Sequence, residues 1–150
     1  MVFRIGWFST GRDEAARDLL EVVASHIEKG TIPGKISFVF CNRERGESEE
    51  SDRFIEQVEG LGIPLVLFSS ARFSPPLRRR NREAWRESYH QAVASRIQGR
   101  AVEVIVLAGY MLIVGGIKLQ PPWRNGVTRI AKKTTNTLAG VPSHHFRFFS

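Results

Sequence analysis

The segment VIVLAGYMLIVGG, Val104 to Gly116, decides the fold. With the preceding Val102 and Glu103 it makes a short, nearly unbroken apolar run. A strand exposed on one face alternates polar with apolar residues, and a membrane helix needs roughly 20 apolar residues. A run this apolar and this short therefore reads as a strand covered on both faces. Parallel sheets flanked by helices produce such strands, so the flanking sequence must supply helices and further strands.

Working outward towards the N-terminus, it does. REAWRESYHQAVASRIQGR, residues 82–100, places Trp85, Tyr89, Val93 and Ile97 on one helical face. ARFSPPLRRRN, residues 71–81, reads as an exposed basic loop whose two prolines exclude regular structure. IPLVLFSS (63–70) and KISFVFCN (35–42) read as strands, and DRFIEQVEGLG (52–62) as a short helix burying Phe54, Ile55 and Val58. RERGESEES between them is a polar loop. RDEAARDLLEVVASHIEKG (12–30) keeps Ala16, Leu19, Leu20, Val23 and Ile27 at amphipathic spacing, with Thr10 or Asp13 as cap and Gly30 as stop. VFRIGWFS (2–9) alternates Phe3, Ile5 and Trp7 as the first strand.

Strands alternating with helices imply an α/β fold: a Rossmann-like open, mostly parallel sheet with helices on both faces and a truncated or irregular C-terminal part. Ligands of such sheets bind at the carboxyl ends of the strands. The informative positions are therefore 9–13, 41–43, 69–73 and 108–116.

Bulk composition narrows the function classes. The 150 residues suit one core, and the single cysteine, Cys41, allows no intrachain disulfide. A soluble, cytoplasmic protein without a signal peptide or membrane span is the expectation. The net charge of +7 suggests nucleic acid, but it is unevenly placed. Residues 117–150 hold six Lys and Arg and no Asp or Glu, so the first 116 residues are nearly neutral. The chain thus divides into an α/β domain, 1–116, and a basic tail of uncertain structure, 117–150.

Few residues announce chemistry. The turn FSTGRDEA can hold a phosphate on Gly11, Arg12 and the helix N-terminus, or it can be a plain helix cap; Asp13 and Glu14 oppose the first reading. The run Arg78, Arg79, Arg80 and Arg82 reads as a solvated loop or as an anion or nucleic-acid contact. Cys41 reads as a structural thiol, and His26 and His90 as structural or solvated. His144 and His145 are adjacent and make a poor chelating pair, so no metal is expected.

The stretches FSTGRDEAARDLL, FVFCNRE, GLGIPLVLFSS, NREAWRESYHQAV and VEVIVLAGYMLIV occur in the order seen in the formyltransferase family. Their spacing resembles its phosphoribosylglycinamide formyltransferase branch from about Phe3 to Gly115. The resemblance implies an enzyme of purine biosynthesis that moves a formyl group from 10-formyltetrahydrofolate to glycinamide ribonucleotide, a small-molecule substrate. It assigns Gly11, Arg12 and Asp13 to the substrate phosphate, and Arg82, Met111, Leu112, Ile113 and Val114 to the folate. Methionyl-tRNA formyltransferase is the nearest rival within the family. A basic nucleic-acid-binding protein that is no enzyme is the alternative outside it.

The departures are equally specific. The family's small, polar phosphate loop reads Asp13-Glu14-Ala15 here, and its usual Arg is Leu112. The family's Asn-x-His-Pro segment is missing: Asn125 precedes Gly-Val and Asn136 precedes Thr-Leu. No Asp or Glu follows Glu103. The group that polarises the formyl carbonyl and the carboxylate that orients the proton transfer have no counterpart, which implies an impaired or inactive enzyme with its C-terminal half truncated or replaced.

Overall fold

The structure, a computed structural model, describes residues 2–114 and the backbone of 127–130. Five strands form one sheet in the order β3-β2-β1-β4-β5, with every neighbouring pair parallel. They are β1 (Phe3–Ser9), β2 (Gly34–Cys41), β3 (Leu65–Leu67), β4 (Val104–Ala108) and β5 (Val127–Ile130). Helices α1 (Glu14–Glu28), α2 (Glu49–Gly60), α3 (Pro75–Arg80) and α4 (Arg82–Ile97) connect them. This is the α/β, Rossmann-like arrangement expected from the alternation of periods.

Side chains leave the central strands alternately, and each face has its own core. Ile5, Trp7, Val39, Cys41, Val106 and Ala108 pack with Ala16 and Leu20 of α1 and Phe54 and Val58 of α2. Phe8, Phe38, Phe40, Ile105 and Leu107 pack with Trp85, Tyr89, Val93 and Ile97 of α4. β1 therefore buries both sets of positions, and Phe8 is as buried as Trp7. Phe3, expected on the inner face, is exposed because it pairs with Gly34 at the sheet's amino edge. Gly6 is required on the second face: a Cβ there would lie 2.9 Å from the Phe38 ring.

Local signals set the helix starts. Asp13 caps α1 by accepting from the Ala16 N–H at 3.1 Å. Ser48 caps α2 and Asn81 caps α4 in the same way. The 71–81 stretch is not an irregular loop, because Pro75–Arg80 is a helix. The prolines stand in its first turn, where missing N–H groups have no intrahelical acceptor and a fixed φ favours helix. Ser74 enters it with φ +40. β5 lies within the segment read as an aperiodic tail, on the outer edge of β4; the rest of that tail, with His144 and His145, lies outside the described residues. Among the described residues, no helix is long and apolar enough to cross a membrane.

Aromatic packing fastens α4. Trp85 and Tyr89 stack at 5.4 Å, and Tyr89 stacks on Phe68 at 5.1 Å. The Trp85 indole N–H donates to the Phe73 carbonyl at 2.6 Å, and the Tyr89 hydroxyl donates to the Phe68 carbonyl at 2.5 Å. Burial pushes the Tyr89 phenol up, so it stays a donor. Tyr89→Phe leaves that carbonyl without its phenol donor and is expected to cost about 1–3 kcal/mol. Urea unfolding measures this as a lower midpoint with an unchanged slope; an unchanged midpoint contradicts it.

Candidate functional site

The strand order creates one crevice by topology alone. After β1 the chain passes through α1 to β2 on one side, and β4 lies on β1's other side. The carboxyl ends of β1 and β4 are the point at which an open α/β sheet leaves room for a ligand. Ser9 to Asp13 leave β1 there, and Gly109 to Val114 leave β4.

Short polar contacts tie these two segments together. The Thr10 N–H donates to the Gly109 carbonyl at 3.3 Å. The Met111 N–H donates to Thr10 Oγ1 at 2.9 Å. The Gly11 N–H donates to Ser9 Oγ at 3.1 Å. Thr10, weighed from the sequence as a helix cap, instead bridges the strand ends; its partner is 101 residues away, and no local pattern reports it. Gly11 and Gly109 turn the chain at φ +59 and +66. A Cβ on Gly11 would also lie 2.8 Å from the Phe54 ring. Gly11 is thus needed by the turn itself, whatever it binds.

The assigned residues fall into three groups. Gly11 is buried, Arg12 is exposed, and Asp13 uses its carboxylate as the α1 cap. Arg12 Nε lies 4.0 Å from Asp13 Oδ2. The helix N-terminus therefore already faces a carboxylate, and an incoming phosphate must compete with it. Across the Thr10 bridge, Met111 and Ile113 are 54% and 59% exposed, while Leu112 and Val114 pack on the second core. This leaves apolar side chains beside main-chain groups at an open strand end. Arg82 stands apart from that bridge, in an open hollow of about 510 Å³ lined by Ala71, Pro75, Arg78, Arg79 and Arg82. The Arg78 guanidinium sits 4.5 Å over the Trp85 ring.

The remaining strand ends spend their polar groups on one another. The Asn42 amide donates to Ser70 Oγ at 3.0 Å, and the Ser69 hydroxyl donates to the Glu47 carboxylate. Asn42 Oδ1 and Trp7 Nε1 have no partner among the described residues. Cys41 is buried, with its thiol directed at the Thr10 carbonyl at 3.7 Å, and burial pushes it up to about 11. That disposes of a thiolate nucleophile here.

His90 is the polar side chain whose placement the helical pattern missed. It is fully buried on α4 with its ring nitrogens 2.9 Å from the Arg86 carbonyl and 2.9 Å from the Tyr110 hydroxyl. Its spacing one residue beyond Tyr89 gave no hint of a partner beyond β4.

No family model matches the chain, and no curated protein matches it. Its fold is similar to the crystal structure of phosphoribosylglycinamide formyltransferase from Streptococcus pneumoniae TIGR4, with a TM-score of 0.51 and 19% sequence identity. The likeness covers 76% of this chain and 48% of that one, so the chain spans about half the length of the enzyme it resembles.

Two substitutions separate the roles packed into the first turn. Asp13→Ala removes the cap and is expected to lower stability by about 1 kcal/mol, whereas Asp13→Asn keeps it. Thermal unfolding of both variants tests this, and equal losses would count against the cap. Cys41 in the folded chain is expected to resist iodoacetamide at pH 8 and to react once unfolded in urea. Rapid alkylation of the native state, read by mass spectrometry, would contradict its burial.

The similarity establishes the fold: this chain has the α/β architecture that the streptococcal formyltransferase also has.

Proposed function

We propose that this chain is a folate-binding, formyltransferase-like α/β domain of the purine-biosynthetic type, one that cannot by itself complete formyl transfer by the family's mechanism. The observation that supports the reading is the Thr10 bridge, which hydrogen-bonds the first turn to Gly109 and Met111 at the end of β4. The residues fit a flat heterocycle. Exposed Met111 and Ile113 offer apolar cover, and the main chain at the strand end offers hydrogen bonds. 10-Formyltetrahydrofolate would supply the formyl group. Met111, Leu112, Ile113 and Val114 hold its ring, and Arg82 offers a cation to its acidic end. Arg12 is the cation available to the phosphate of glycinamide ribonucleotide, with Gly11 shaping the turn and Asp13 orienting Arg12.

The family's means of polarising the formyl carbonyl is missing from the sequence. The Asn-x-His segment is absent, and no carboxylate follows Glu103 to direct the proton. Binding without turnover is the expected behaviour of such a site. A domain of residues 1–116 followed by a basic segment, 117–150, whose Val127–Ile130 adds an edge strand to the same sheet, in a cytoplasmic setting, completes the reading.

A second reading has one observation in its favour. Among the described residues, Arg78, Arg79, Arg80 and Arg82 form no ion pair, and three of them line the hollow. A methionyl-tRNA formyltransferase-like protein, or a basic protein without enzymatic activity, would place an RNA phosphate there.

One pair of measurements separates these readings. In a thermal-shift titration, 10-formyltetrahydrofolate and glycinamide ribonucleotide are each expected to raise the melting temperature, while a formyl-transfer assay with both shows no product above background. Product formation would overturn the impaired-enzyme reading. Absence of any shift with folate, alongside RNA binding that weakens steeply with salt, would favour the second.

A further inference from the structure

The buried polar pair behind the crevice has no part in that reading. Tyr110 is the first residue after the Gly109 turn and the last before Met111, so its ring anchors the root of the exposed edge. It is held against Phe8 at 5.5 Å, Phe40 at 6.2 Å and His90 at 5.9 Å, all buried. Its hydroxyl meets His90 Nε2 at 2.9 Å. The opposite ring nitrogen faces the Arg86 carbonyl at 2.9 Å.

That carbonyl decides the tautomer. A carbonyl only accepts, so Nδ1 must carry the hydrogen, and Nε2 of the neutral ring must be the acceptor. The Tyr110 hydroxyl therefore donates to it. Proton uptake turns Nε2 into a second donor, sets N–H against O–H, and forces the phenol to turn its hydrogen away. Among the described residues, the charged and titratable groups around the ring are Arg86 and Tyr89 on α4 and Tyr110 beyond β4; the facing sheet residues Phe8, Phe38, Phe40, Ile105 and Leu107 are apolar. Burial is the main cause that lowers His90 from its ordinary value of 6.5, and the Arg86 charge adds to it.

We propose that His90 and Tyr110 form a proton-sensitive latch that positions the Met111–Val114 edge: closed while the imidazole is neutral, released when it is protonated. The sign follows from linkage. Because the folded imidazole resists protonation more than the unfolded one, the latch's contribution is complete above about pH 6.5. It falls away as pH drops through the lower folded value. His90 and Tyr110 are positioning residues, acting on any ligand of the crevice through the main chain. The consequence for folate rests on the function proposed above; the latch itself does not.

Measurements on the full chain test it. Nitrogen-correlated NMR of the imidazole at pH 7.5 is expected to show His90 as the Nδ1–H tautomer. Hydrogen-exchange protection of the amides of 111–114, taken relative to those of α1, is expected to fall about tenfold between pH 7.5 and 5.0, the scale of one lost hydrogen bond. Tyr110→Phe shows that loss already at pH 7.5. His90→Gln, whose amide oxygen accepts from Tyr110 without titrating, keeps the protection and loses the pH step. A pH-independent edge in the native chain, the other tautomer, or an undiminished step in His90→Gln would each overturn the latch. The native-chain measurements decide even where a variant does not fold. The Kd for the stable 5-formyltetrahydrofolate is expected to weaken about tenfold over the same pH interval. If the exchange step appears and the folate does not bind at either pH, the folate reading fails and the latch stands.

Discussion

β1 has no free edge. Hydrogen-bonded to β2 on one side and to β4 on the other, it fixes the plane of the sheet, and its side chains must satisfy two cores at once. Ile5 and Trp7 serve one face and Phe8 the other, while Gly6 yields its place to the Phe38 ring. The crevice is a consequence of the same pairing. Strands added to opposite edges of β1 carry their loops apart, and Thr10 hydrogen-bonds the end of β1 to the end of β4. A site located this way needs no specialised residue to open it; the order of pairing does so.

The parts of the fold that the sequence displays are those governed by local periods. Helical spacing exposes Trp85, Tyr89, Val93 and Ile97 as one buried face, and all four are buried. Continuous apolarity marks β4. The helix at Pro75 is hidden because the same residue breaks a helix interior and begins a helix end, and only the end position was consistent with six residues of chain. β5 is hidden for a different reason: VTRI has no alternation to betray it, and its position comes from pairing with Ile105 to Ala108. The bridge between Thr10 and Met111 and the pair between His90 and Tyr110 join residues far apart in sequence. Neither can be read from spacing, since each partner alone looks like an ordinary cap or a helix-face residue.

Charge placement explains why the first turn resembles a phosphate site without being an ideal one. A helix N-terminus favours one negative group, and Asp13 already supplies it. Arg12 Nε lies 4.0 Å from Asp13 Oδ2, so an anion approaching Arg12 also meets a carboxylate. Three arginines, Arg78, Arg79 and Arg82, line the hollow away from this turn. An anion at this turn and the helix cap would draw on the same few N–H groups, and Asp13 already occupies one of them.

The separation between what folds the chain and what a reaction needs is nearly complete. Trp7, Phe8, Leu20, Phe38, Phe54, Trp85 and Tyr89 are buried and hold the layers together, whereas Arg12, Met111 and Ile113 at the strand ends are solvent-facing. Substitution at such solvent-facing positions costs the core little. His90 is the exception to that division. A polar ring buried among aromatic side chains is costly unless both nitrogens are satisfied, and satisfying them here ties the interior to the root of the exposed edge. An apolar residue would fill the same volume without that cost; what it would not do is make the edge answer to pH.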